Sequence, residues 1–246
     1  MTDGTFSQRQ YEMFYPKNVE NHFFVRARHE IIWKKIRPHI SKTDVLMDIG
    51  CGPGIFVNFL RDRKIQGFGC DKGKPKAICE SVDEFLFLGM NAEDVPYTLR
   101  KSITFLMLIE VLEHLSNPSE FLSGCLAAYP SVTKIMITVP ARQELYCDLD
   151  LKAGHLKRYT LDDAIRILDG IATKRIELGY FFHMLYLPSL VFAKTRIEKP
   201  VVVPSAGRSV SSLLHKLLAK YFVFEAELLP GKLPGTTIYC MATLDL

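Results

Sequence analysis

The stretch Val45-Leu46-Met47-Asp48-Ile49-Gly50-Cys51-Gly52-Pro53-Gly54-Ile55-Phe56-Val57 constrains this chain more than any other. A strand-like, mostly apolar run carries an acid near its end, three glycines follow at alternate positions, and an amphipathic helical pattern begins at once. The sequence therefore predicts strand, tight loop, helix, with the loop as a binding site. Glycine permits positive φ and lets a ligand lie against bare backbone, and the first amides of the helix form a polarised, donor-rich rim. A dinucleotide-binding loop of the G-x-G-x-x-G form requires glycine at position 55, where Ile55 stands, so the nicotinamide reading loses ground.

A chain of 246 residues, 48% hydrophobic and 24% charged, suits one α/β domain with additions. A net charge of +4 is too small to argue for nucleic acid. Residues 1–10 are polar and lack the apolar centre of a signal peptide, and the longest apolar stretch, 178–193, is interrupted by Gly179, His183 and Pro188. The six cysteines form no C-x-x-C pair, so free thiols in a reducing cytoplasm are expected.

The run D-x-G-x-G-x-G resembles the first motif of class I S-adenosylmethionine-dependent methyltransferases. That resemblance implies that Gly50, Cys51, Gly52 and Gly54 lie against the methionine half of the cofactor, with Asp48 near its ammonium end. Asp71 closes the next predicted strand, 66–70, roughly 20 residues on, where a ribose-binding fold places a carboxylate; Lys72 follows it. The resemblance puts Asn91 and Ala92 beside adenine, with an amide at Asn91 where relatives commonly carry an acid, and Ile109 and Glu110 beside the sulfonium. Residues 103–109 read as a strand buried on both faces. The segment after it, Glu110-Val111-Leu112-Glu113-His114, resembles that of small-molecule methyltransferases of the quinone-biosynthesis O-methylating type, with Thr104 replacing an acid often found near the start of this strand. Residues 21–28 resemble an aromatic-rich entry segment of bacterial members, with Arg28 closing over cofactor or substrate. Residues 18–40 read as one amphipathic helix and 72–82 as another.

Between 141 and 160, beyond a predicted fifth strand, chemical side chains outnumber core-like ones. Arg142, Tyr146, Arg158 and Tyr159 are the expected substrate contacts. Residues 154–160 resemble a G-H-x-x-x-Y-[ST] stretch of the same methyltransferase subset, and Thr160 with Asp163 fits a helix N-cap followed by an acid. Of two candidate bases, His155 in this polar loop is expected to take the acceptor's proton, while His114 is expected to be held by backbone partners.

The resemblance implies a doubly wound α/β fold of seven strands, mostly parallel, in the order 3-2-1-4-5-7-6, with a helical insertion before the last strand. The expected division is an N-terminal helical cover at 1–40, an S-adenosylmethionine-binding core at 41–182, a helical lid at 183–235, and the last core strand at 236–246. The lid combines basic residues with apolar ones at helical spacing, a pattern compatible with peripheral membrane contact. The implied function is methyl transfer from S-adenosyl-L-methionine to a small-molecule or lipid-linked acceptor, at oxygen, with no metal required. A non-catalytic cofactor-binding protein and a protein methyltransferase stand as alternatives. A nucleic-acid methyltransferase is disfavoured, because no N-P-P-Y-like tetrapeptide follows strand four and Val139-Pro140-Ala141 offers no cysteine nucleophile.

Overall fold

The computed structural model describes residues 5–195 and 210–245. In chain order it contains α1 (Gln8–Phe14), α2 (Phe23–Ile36), β1 (Val45–Ile49), α3 (Ile55–Asp62), β2 (Gln66–Asp71), α4 (Glu80–Asp83), β3 (Leu86–Leu88), α5 (Tyr97–Arg100), β4 (Phe105–Ile109), α6 (Pro118–Ala128) and β5 (Lys134–Pro140). It continues with α7 (Asp148–Ala153), α8 (Leu161–Arg166), β6 (Thr173–Phe181), α9 (Tyr186–Thr195), α10 (Val210–Leu228) and β7 (Thr237–Leu244). The seven strands form one sheet in the expected order, β3-β2-β1-β4-β5-β7-β6. The first five are parallel, and β7 runs antiparallel between β5 and β6.

Side chains alternate across a strand, so β1 and β4 feed two cores. Met47, Leu106 and Leu108 pack with Leu122, Cys125 and Tyr129 of the α6 side. Leu46, Phe105 and Met107 pack with Ile31, Ile32, Phe56 and Leu60 of α2 and α3 on the other face. Burial on both faces is what an uninterrupted apolar strand requires. Because β1, β2, β4 and β5 run the same way, Gly50, Asp71, Glu110 and Ala141 all emerge at one edge of the sheet, where open α/β folds bind ligands.

The opposite edge is tied by a buried acid. Asp44 accepts from Lys134 Nζ (2.7 Å), Thr104 Oγ1 (2.7 Å) and the Ser41 amide (2.7 Å), joining the entry to β1 to the starts of β4 and β5. Thr104 thus bridges Asp44 and the Val45 amide. Burial would raise the Asp44 carboxyl, but its bonds from Lys134, Ser41 and Thr104 prevail and bring it down to about 2. A pKa lower in the folded than in the unfolded chain stabilises above the ordinary aspartate value near ~4. That contribution is lost as pH falls through about 2. Asp44→Asn is expected to cost about 2 kcal/mol at neutral pH, with the gap to the parent closing in acid, as read by denaturant titrations across pH.

Three expectations change. Residues 72–79 form no helix, since the Gly73 amide is drawn to Asp71 and Pro75 lacks a donor; only Glu80–Asp83 winds. The helix expected over 18–40 is confined to α2, with short 3₁₀ turns at Val19–Asn21 and Arg37–His39. A further helix, α1, precedes it. In the insertion between β6 and β7, α10 packs on α2 through Phe222 against Phe23, while α9 meets the turn at 143–145, where Tyr186 bonds Glu144. Arg196, Glu198, Lys199 and Arg208 of the predicted basic lid lie outside the described residues. The described cysteines are free, and among the described residues no helix is long and apolar enough to cross a membrane.

Candidate active site

The glycine loop is hooked to β2. Gly50 and Cys51 donate their amides to the Cys70 carbonyl at 2.8 and 3.1 Å, and Gly50, Gly52 and Gly54 hold φ of +75°, +53° and +79°. Asp71 is the hub of the site: Oδ2 accepts from the Gly52 amide (2.8 Å), and Oδ1 accepts from the Gly73 amide (2.8 Å) and the Tyr11 hydroxyl (2.5 Å). Tyr11 and its stacked neighbour Tyr15 bring α1 down over the loop, with the Tyr15 hydroxyl 2.9 Å from where a Cβ on Gly52 would stand.

Beneath the loop, Asp48 is buried and its Oδ1 has no hydrogen-bond partner. Burial, and then Asp71, push its carboxyl up to about 8, with Arg28 opposing. Glu110 leaves β4 in the left-handed region at φ +56°, held by its amide on the Thr138 carbonyl (3.0 Å) and by the Thr138 hydroxyl on its Oε1 (3.0 Å). Such backbone strain in a non-glycine residue persists only where neighbours enforce it.

A cavity of about 560 Å³ opens along this edge. Of the twelve expected cofactor residues, Gly50, Asp71, Lys72, Asn91, Ala92 and Glu110 line it. Phe6, Tyr11, Tyr15, His114, Leu115 and Phe121 supply an aromatic and apolar wall. Asp48, Cys51, Gly52, Gly54, Ile109 and Arg28 are outside the lining. Cys51 packs toward Gly69, Ile109 joins the α2 core, and Arg28 lies 3.9 Å from Glu110 and over the Phe24 ring. Asn91 is oriented by donating Nδ2 to Asp94 (2.8 Å), and the Ala92 carbonyl accepts from Tyr129 (2.8 Å).

A family model described as a methyltransferase domain matches residues 20–174, more than half of the chain. The chain belongs to this methyltransferase family. Its cofactor is S-adenosylmethionine. No curated sequence matches the chain. Among solved structures it is similar to a Thermotoga maritima S-adenosylmethionine-dependent methyltransferase, named a possible histamine N-methyltransferase (TM-score 0.53, 12% identity, 97% of this chain and 100% of that one). It is likewise similar to Haemonchus contortus phosphoethanolamine N-methyltransferase 2 (0.53, 13%, 98% and 61%) and to Streptomyces coelicolor geranyl diphosphate C-methyltransferase (0.51, 12%, 88% and 75%). At these identities the likeness is one of fold.

The residues of this methyltransferase fit the cofactor. Three loop glycines at positive φ, a buried carboxyl at Asp48 with one unpartnered oxygen and a carboxylate at the end of β2 are complementary to a zwitterionic methionine end and a ribose diol.

None of the four expected substrate residues lines the cavity, because their polar groups are spent internally. Tyr159 is fully buried and donates to the Leu112 carbonyl (2.9 Å). Arg158 donates to Asp150 Oδ1 (3.0 Å) and to the Ala141 carbonyl (3.2 Å). Tyr146 donates to the His155 carbonyl (2.7 Å), and Arg142 pairs with Glu144 (2.6 Å) beneath Tyr186. The two histidines differ in access to the cavity, and His114 has the backbone partner expected of it. His114 lines the cavity, whereas His155 meets it through the His114 ring, at 4.9 Å between centroids, with Nδ1 on Asp150 (2.8 Å). His114 is bonded to the Gly154 carbonyl (3.3 Å), and burial, then His155, push it down to about 4, so it is a neutral imidazole at neutral pH.

Sequence reasoning missed Phe6, Tyr11 and Tyr15 and gave no role to Asp150 or to the buried Glu113. For α1 the signal was present: Ser7 and Gln10 form a capping box, the S-x-x-Q signature of a helix start.

Proposed function

We propose that this methyltransferase acts on a small-molecule or lipid-linked acceptor and that it methylates oxygen. The reading is carried by one cavity, of a size suited to a cofactor and a small reacting moiety, whose walls join donor-side groups such as Gly50 and Asp71 to aromatic and imidazole groups. Bound S-adenosylmethionine supplies an electrophilic methyl on sulfur, so the protein aligns acceptor, methyl and sulfur, excludes water and provides for one departing proton. Asp71 accepts from the ribose, Asp48 faces the ammonium, and Gly50, Gly52 and Gly54 with Cys51 cradle the methionine end. Lys72, Asn91 and Ala92 flank the nucleoside, with Ile109, Glu110 and Arg28 around the sulfonium. Phe6, Tyr11 and Tyr15 roof the cavity against water. A lipid-linked acceptor is supported by exposed apolar residues on α9 and α10, among them Leu187, Val191, Leu213, Leu217 and Phe224.

The Tyr11 hydroxyl takes a lone pair of Asp71 that a diol needs. Tyr11→Phe is expected to tighten S-adenosylhomocysteine binding by roughly three- to tenfold in calorimetry; weaker binding would instead place this hydroxyl on the ligand. The acceptor is found by incubating the enzyme with methyl-labelled S-adenosylmethionine and cell extracts separated into lipid and aqueous fractions. Product analysis then reads the atom methylated, oxygen on this proposal; label on nitrogen or carbon, as the names of the similar structures would have it, overturns that part.

A further inference from the structure

We infer that Glu113, His114 and His155 form a binding site for one divalent first-row transition-metal ion at the wall of the cavity. Glu113 is fully buried in the turn that leaves β4, and neither of its carboxylate oxygens has a hydrogen-bond partner among the described residues. Buried carboxylates are otherwise paired or bonded, so this one lacks its counterpart. Two imidazoles face it: His155 Nε2 stands 3.7 Å and His114 Nε2 4.0 Å from Oε1. One ligand atom from each of the three residues falls within 4.8 Å of the others.

The far nitrogen of each ring is already committed. His114 Nδ1 is 3.3 Å from the Gly154 carbonyl oxygen and His155 Nδ1 is 2.8 Å from Asp150 Oδ1. A carbonyl and a carboxylate accept, so Nδ1 carries the proton in each neutral ring and Nε2 turns its lone pair toward Glu113. With Glu113 as a carboxylate, three acceptors converge with no donor between them, and a proton on Glu113 would reach neither ring at 3.7 and 4.0 Å. A second proton on His155 supplies no hydrogen bond, because 3.7 Å is beyond its range. A cation satisfies all three at once. Two ligands about 2.1 Å from a common tetrahedral ion are about 3.4 Å apart, so small side-chain rotations close the observed spacings onto a metal. The outer layer is also in place, since Asp150, which orients His155, is itself fixed by the Cys147 amide (2.9 Å) and by Arg158 (3.0 Å).

Two imidazoles and one carboxylate favour manganese, iron, cobalt or zinc over calcium and magnesium, which prefer oxygen. Because His114 lines the cavity, open coordination positions face the acceptor. There, and this part rests on the proposed methyl transfer, an ion lowers the pKa of an acceptor hydroxyl, and both imidazoles act as ligands instead of bases.

The test is titration of the chelator-treated full chain with Co²⁺, followed by visible d–d absorption and by metal analysis after dialysis. One ion per chain is expected in the parent. At least tenfold weaker binding is expected in Glu113→Gln and in His155→Ala, with far-ultraviolet circular dichroism reporting that each variant is folded. If one variant does not fold, the other decides. Competition by Mg²⁺ should require far higher concentrations than competition by Zn²⁺. A parent that binds no Co²⁺, or binds it as well as the folded variants do, overturns the site. S-adenosylhomocysteine calorimetry on the same metal-free samples separates that outcome from failure of the methyltransferase reading, which would show as no cofactor binding.

Discussion

Gly50→Val is expected to abolish S-adenosylmethionine binding in a chain that still folds its sheet. The Gly50 amide is pinned to the Cys70 carbonyl at 2.8 Å, so the φ of +75° cannot relax without unhooking the loop from β2. A Cβ in the left-handed region costs about 1–2 kcal/mol, and a β-branched side chain is a worse fit there. The new Cβ would also stand 2.6 Å from Val111 Cγ2. Val111 directly follows Glu110, already held at φ +56° beside the cavity, so a backbone shift that clears the contact moves Glu110 too. Loop and acceptor wall are therefore displaced together. Asp71→Ala should act more mildly, by about ten- to a hundredfold in affinity, since it removes charged acceptors from the diol and also releases the Gly52 and Gly73 amides. Calorimetry with S-adenosylhomocysteine checks both, with circular dichroism confirming the fold. Parent-like binding in both variants would place the cofactor elsewhere.

What the sequence made legible follows from how local the signals are. Strand, glycine loop, helix and the acid closing β2 are written in adjacent residues, and each lies where periodicity and glycine spacing put it. The strand order came from the family resemblance, since periodicity does not say which strand lies beside which. The capping box marks the start of α1, but that this seven-residue helix roofs the cavity was hidden, because its place there depends on Tyr11 reaching Asp71 sixty positions later. Between 141 and 160 the difficulty is of another kind. Polar side chains in a loop at the ligand edge read as substrate contacts, yet Tyr159 and Arg158 serve the carbonyls of Leu112 and Ala141. A loop dense in charge can be a wall holding itself together, and only the accounting of donors and acceptors in three dimensions separates the two cases.

That accounting identifies Asp150 as a polar residue whose loss should cost heavily in stability. The turn at Gly154, with φ +80° ending α7, brings His155 and Arg158 back onto the carboxylate of a residue five and eight positions earlier. Asp150 is 1% exposed and also accepts from the Cys147 amide at 2.9 Å. Burial would raise its carboxyl, but the bonds from His155, Arg158 and Cys147 prevail and hold it below the ordinary aspartate value. Asp150→Ala strands the Arg158 guanidinium, 14% exposed, beside two groups that have lost their acceptor. Removing one partner of such a buried pair typically costs about 3–5 kcal/mol. Asp150→Asn should cost less, because one amide oxygen still accepts either at the Oδ1 position, from His155 and Arg158, or at the Oδ2 position, from the Cys147 amide, while the charge facing Arg158 is gone. The sign of the pH dependence follows from the lowered pKa. The carboxylate's contribution is complete above the ordinary aspartate value near ~4 and disappears as pH falls through its folded value. Thermal unfolding should therefore separate parent and Asp150→Ala widely at pH 7 and much less in strong acid. A separation unchanged by acid would mean that Asp150 acts by packing and not by charge.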